Sequence, residues 1–215
     1  MKLLLSFLLL LTTYGSLVAQ RSEPEFENSV NLLFGLNQVA IGGFNIEANL
    51  FVDRFSFDYS HGVNLMLTNN RLEAGADKEQ NLDIILPWTT GFGAGYRFDN
   101  WFNVRVEPKW HKWRLYDAGA AQHNANLLGS YTTFTLGLGA YANWRPFKRS
   151  DNLLRGIMIV PSLRWWPKLS SSLDNDELRY TNPTSEQTEV HQAREIGFGN
   201  TAFFGSISVG YSVRF

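Results

Sequence analysis

Cysteine is absent from all 215 residues, and neither sign of charge prevails: 19 Lys and Arg stand against 20 Asp and Glu, for a formal net charge of −1. Without a thiol there can be no disulfide framework and no lipid-anchored form, and residue 19, where such an anchor would begin, is Ala. Without a basic excess there is no expected nucleic-acid partner. Past the first two dozen residues no segment approaches the roughly 18 consecutive apolar residues of a membrane helix. A Gly-rich phosphate cradle, a nucleophile elbow and paired catalytic carboxylates are missing too, and none of the four histidines has a metal partner at ligand spacing, so no cofactor, metal or catalytic residue is expected.

What stands at the front is a secretory leader over residues 1–19. Lys2 supplies the positive start, Leu3 to Leu11 the apolar stretch, and Leu17-Val18-Ala19 a small-residue exit before Gln20. Residues 20–215 then form one domain that is 14% aromatic over the whole chain, rich in Gly and free of long helical patterns, a composition suited to an all-β wall.

The strongest pattern is the last one. Phe203, Gly205, Ile207, Val209, Tyr211, Val213 and Phe215 alternate with small or polar residues up to the final carboxylate. A period of two held this long suits a strand with lipid on one face and a lumen on the other. Seven earlier segments repeat it. Phe92, Ala94, Tyr96 and Phe98 continue a stripe that includes Ile84, Leu86 and Trp88, all expected outward, as are Val63, Leu65 and Leu67 of the preceding strand. In the fifth segment Phe102, Val104, Val106, Pro108 and Trp110 point out, and Asn103, Arg105, Glu107, Lys109 and His111 point in, a set no apolar core would accept. Short links at 53–54, 99–101 and 146–152 alternate with long ones at 68–83, 116–130 and 167–197, apart from a brief first loop near 37–41. The expected fold is an all-β, eight-stranded antiparallel up-and-down transmembrane β-barrel, with short periplasmic turns and long outer loops. Prolines 87, 108 and 161 are the misfit, because each removes a ladder hydrogen bond from a proposed strand unless the strand bulges there.

Aromatics fall at two heights. Trp88, Trp110 and Trp165 form an outer girdle, and Phe98, Trp144 and Phe215 an inner one. An eight-stranded bore is just wide enough for side chains to fill, and Glu47, Asp58, Arg97, Arg105, Glu107, Lys109, Arg145, Arg164 and Arg214 are expected to fill it as a polar network. If those charges rearranged, the barrel would instead be a narrow porin-like diffusion channel. A third reading is a lipid A-modifying enzyme: Ser60-His61-Gly62-Val63-Asn64 looks like the His-x-Ser-Asn signature of outer-membrane lipid A deacylases, but Val63 holds the nucleophile's place and Ser60 lies on the opposite face. The final loop, with Asp174, Asp176, Glu177, Glu186, Glu189 and Glu195, reads as solvated, with cation binding as the sharper alternative.

The run Gly91-Phe92-Gly93-Ala94-Gly95-Tyr96-Arg97-Phe98-Asp99-Asn100-Trp101-Phe102-Asn103-Val104-Arg105-Val106-Glu107-Pro108 and the ending Ser208 to Phe215 resemble the small outer-membrane β-barrel proteins of the OmpA/OmpX/OmpW kind, especially the PorT-like "outer membrane protein beta-barrel domain" family. The resemblance implies a place in the outer membrane of a Gram-negative envelope, among outer-membrane lipid and lipopolysaccharide. It implies that the barrel-assembly machinery reads Tyr211, Val213 and Phe215 as its signal. It also implies a structural, interaction or accessory role, such as support of secretion or envelope assembly through protein partners, rather than an activity.

Overall fold

The computed structural model describes residues 25–69 and 76–215; the leader expected over 1–19 lies outside them. In chain order the strands are β1 (Ser29–Gly35), β2 (Phe44–Val52), β3 (Phe55–Leu67), β4 (Leu82–Asp99), β5 (Phe102–Asp117), β6 (Gly129–Ala142), β7 (Ile157–Trp165), β8 (Lys168–Ser171), β9 (Glu177–Thr181), β10 (Thr188–Gln192) and β11 (Phe203–Arg214). Two short helices, α1 (Leu36–Ala40) and α2 (Ala76–Glu79), sit in the first and second outer loops. Strands β1 to β7 pair antiparallel in sequence, β11 pairs with β7, and the ring closes where β11 meets β1 from Ser29↔Arg214 to Gly35↔Ser208. Closure removes the sheet edges that lipid could not satisfy, since hydrocarbon offers no partner to a free N–H or C=O.

The barrel's wall follows the alternation in the sequence. In β1, Val30, Leu32 and Phe34 are exposed while Ser29, Asn31 and Leu33 are buried. Trp110, Trp165, Phe98, Trp144 and Phe215 are exposed on the outside, and Trp88 is half-buried.

All three prolines fall where pairing lapses. Pro87 sits in a register shift between β4 and β5, between Ile85 and Trp88. Opposite Pro108 the β4–β5 pairing skips the step between Gly91 and Ala94, although Pro108 still faces Leu136 in β6. At Pro161 the β6–β7 ladder stops after Tyr141↔Ser162 and resumes only as a lone bridge, Trp144↔Ile159.

The bulge at Pro87 corrects one expectation. Beyond it the parity of β4 reverses, so Ile84 and Leu86 turn inward, Ile84 opposite the buried Leu115 and Leu86 opposite Leu65. Leu65 turns inward with them, directly after Asn64, whose φ of 53° breaks the pleat of β3. These residues join Leu82, Trp113, Tyr131 and Tyr180 in an apolar core at the outer end, while a second cluster of Leu33, Phe51, Tyr141, Met158 and Val160 lines the barrel lower down.

The long final connection is folded, not merely solvated. β8 carries the line of β7 onward beside β6, pairing Thr133 with Ser171, and β9 and β10 form a hairpin whose Tyr180 reaches the outer core. The hairpin and the chain after it cap the outer end of the lumen.

Candidate functional site

Along β5 the inward face is a ladder of changing chemistry, one rung every two residues: Asn103, Arg105, Glu107, Lys109, His111, Trp113, Leu115. The charged rungs meet partners from around the barrel. Arg105 donates from Nη1 to Glu47 Oε1 at 2.7 Å and to Asn49 Oδ1 at 3.2 Å, and from Nε to Asn103 Oδ1 at 2.7 Å. Its guanidinium lies 3.9 Å from the centroid of the Tyr141 ring and 3.5 Å from Asp58 Oδ2. Glu107 accepts from the Tyr141 hydroxyl at 2.5 Å and from the Trp166 indole at 3.1 Å. Lys109 donates to Ser60 Oγ at 2.7 Å and stands 3.8 Å from Glu107. Arg164 reaches Glu47 Oε2 at 3.7 Å.

Burying a charge without a partner costs several kcal/mol, so these groups hold their places only as a set. Glu47, Asp58, Arg97, Arg105, Glu107, Lys109 and Arg164 are all buried within the barrel. Arg97 closes the short-turn end, donating to the Asp53 carbonyl at 2.6 Å and to Asn100 Oδ1 at 2.8 Å. Arg145 and Arg214, expected in the bore, stand instead at this rim. Arg145 lies past the end of β6 and Arg214 is the last residue of β11, so neither has a rung inside; both bind Glu27, Arg214 at 2.6 Å. Burial raises the Glu27 pKa, but Arg145, with Arg214 and Lys148 behind it, outweighs that and holds the carboxyl below the usual range.

Above Lys109 the lumen changes character. His111 sits between Thr89 Oγ1 at 2.6 Å and Thr135 Oγ1 at 3.0 Å, and Trp113 stacks on Tyr131 at 5.9 Å while donating to Thr133 Oγ1. The cap is tied down by polar groups drawn from two outer connections and from β6. His191 pairs with Asp77 of α2 at 2.8 Å through Nδ1 and with the Tyr131 hydroxyl at 2.9 Å through Nε2, and Arg194 also grips Asp77. Burial first, and Lys168 second, push His191 down to about 4. Asp77 would favour the protonated ring, but Arg194 already balances its charge, so a neutral His191 that donates to Asp77 and accepts from Tyr131 fits every contact.

Sequence reasoning missed Trp113, Tyr131 and Asp77, and assigned Trp166 the task of fixing the final loop to the rim rather than a place across the bore. Both tryptophans were within reach as lumen groups: Trp113 continues the odd-numbered stripe of β5, and Trp166 follows Arg164 on the same parity. Asp77 and Tyr131 had no signal, because their contacts join loops far apart in the chain. Four carboxylates of the final loop, Asp176, Glu177, Glu189 and Glu195, have protein partners. Asp176 accepts from Ser171 and pairs with Lys168 at 2.9 Å, contacts that hold its carboxyl below the usual range, and Glu189 accepts from Tyr180 and Asn182. His61 and Ser60 lie on opposite faces of β3, with Ser60 buried.

No protein-family model matches the chain, and no curated protein matches it. Among solved structures, that of Ail, the attachment invasion locus protein of Yersinia pestis, is similar over 88% of this chain and 100% of its own, at 10% identity and a TM-score of 0.40. A likeness so slight adds nothing to the barrel's own ladders. Those ladders and the outward apolar belt make the chain a closed, eight-stranded, antiparallel transmembrane β-barrel.

Proposed function

We propose that this is an outer-membrane barrel that neither catalyses nor conducts, and that it serves the envelope as a structural and interaction element through its folded outer cap. The observation that carries the reading is the bridge across the bore. Glu47, Arg105, Tyr141, Glu107 and Trp166 touch in series, and each is at most 5% exposed. A path for ions would have to break charge-assisted contacts in a low-dielectric space.

Several further observations support parts of this reading. Ser60, the serine next to His61 in the chain, lies in the lumen receiving Lys109 and faces away from the lipid side, which speaks against it as the nucleophile of an acyl-ester hydrolysis. Tyr211, Val213 and Phe215 are exposed on the outer face of β11, where an assembly machinery could read them before insertion. Outer-membrane lipid and lipopolysaccharide are the expected surroundings, and secretion or envelope-assembly proteins the expected partners of the cap.

Planar-bilayer recording of the purified protein tests the plug. The expected outcome is a flat trace; a stable single-channel step would favour the narrow diffusion pore. Mass analysis of lipid A from cells with and without the protein tests the enzyme reading, and unchanged acylation is expected.

A further inference from the structure

Between the charged plug and the cap the lumen is not filled: a cavity of about 790 Å³ lies there, within the range of about 300–1,000 Å³ typical of small-molecule sites. Its floor holds Lys109, Arg164 and Glu47, and its walls include Leu65, Leu86 and Phe204. The cavity reaches the outside at the seam of the barrel. The β1–β11 ladder ends at Gly35↔Ser208, where β1 turns away into α1, while β11 runs on to Phe203 paired only with β7. Asn37 occupies the freed edge, donating from Nδ2 to the Gly205 carbonyl at 3.0 Å and accepting from Ile207 N–H at 3.1 Å. Leu36, Phe198 and Ile207 both line the cavity and are exposed, at 46%, 56% and 47%. The mouth lies on the membrane side of the outer girdle, since Ile207 pairs with Pro161, four residues before Trp165.

Among the plug's charged groups that keep a buried atom without a hydrogen-bond partner, Arg164 is one that lines the cavity. Its side chain is 6% exposed, its buried Nε has no hydrogen-bond partner, and its one ion-pair contact among the described residues, 3.7 Å to Glu47, is too long for a hydrogen bond. A buried guanidinium with donors left over recognises a carboxylate in particular, because the two planar groups form parallel charge-assisted bonds. An apolar passage joins that donor to a mouth at the lipid surface.

We infer that this cavity binds a single-chain fatty acid, with its carboxylate on Arg164 beside Lys109 and its chain running past Leu65 and Leu86 toward Ile207 and the lipid. The head is small enough to reach the floor, the chain replaces solvent against the apolar walls, and the tail stays in contact with the bilayer it came from.

The test uses the protein purified from membranes in dodecyl maltoside, with radiolabelled dodecanoate or dodecanol as probe in mildly alkaline buffer. Retention on gel filtration is read against empty micelles. Dodecanoate is expected to be held well above the micelle blank, dodecanol about tenfold more weakly, and Arg164→Gln is expected to lower dodecanoate retention about tenfold while leaving dodecanol unchanged. Because Arg164→Gln also removes one of the two cations beside Glu47, a second variant, Ala40→Trp, adds bulk where the last residue of α1 lines the cavity, with the plug intact, and is expected to abolish retention; heat-modifiable migration in electrophoresis confirms that each variant is folded. Equal retention of acid and alcohol, retention no greater than that of micelles, or retention unchanged in folded Ala40→Trp would each overturn the inference.

Discussion

Gly137 shows how one missing side chain positions the plug. A Cβ there would lie 1.4 Å from Trp166 Cδ1, so the indole crosses the lumen only because β6 offers bare backbone at that rung. The indole in turn donates to Glu107 and covers Lys109 at 4.4 Å. Gly137→Ala is expected to drive Trp166 out of place and strip Glu107 of one donor, at about 1–3 kcal/mol for the overpacking and a similar amount for the lost bond. Urea unfolding of the refolded barrel, followed by tryptophan fluorescence, measures it; a variant within about 0.5 kcal/mol of the parent would mean that Trp166 is not held by this contact.

Among the elements, the cap and the barrel wall differ in what holds them. The wall is tied by ladder bonds around a closed ring, whereas the β9–β10 hairpin depends on a few side chains, with His191 at their centre. Since the folded pKa of His191 lies near 4 and its ordinary value near 6.5, the released hairpin binds more protons between those values. The cap's hold on the barrel is therefore complete above about pH 6.5 and weakens as pH falls toward 4, with Asp77, Arg194, Lys168 and Tyr131 as the charged and titratable neighbours. Near-UV circular dichroism of the stacked Trp113 and Tyr131 is expected to fade across that window while far-UV strand signal persists, and His191→Gln is expected to remove the pH dependence. Loss of both signals together would show the cap and wall to be one cooperative unit.

For the whole molecule, the alternation of short and long connections gives a sidedness that the absence of cysteine makes easy to measure. In intact cells a membrane-impermeant maleimide is expected to label Ser185→Cys in the β9–β10 hairpin and to spare Ser150→Cys in the turn before β7. Labelling of the second and not the first would invert the barrel. Much of this architecture was legible in the chain, because lipid and lumen are different solvents and every strand must answer to both: alternation alone placed Arg105, Glu107 and Lys109 inside and Phe92 and Val106 outside. Ile84, Leu86 and Leu65 were misplaced because a bulge reverses parity without leaving any mark except Pro87 and an ordinary Asn64. Arg145 and Arg214 were placed one step too far inward because parity says nothing about where the wall stops. What the sequence determined by itself was the strand number, the closure and the two-faced wall, all consequences of a local period of two. Only the tertiary structure decided which charges meet across the bore, that the last loop folds into a cap, and that a cavity remains between plug and cap, because those depend on distances between residues far apart in the chain, and no local pattern carries a distance.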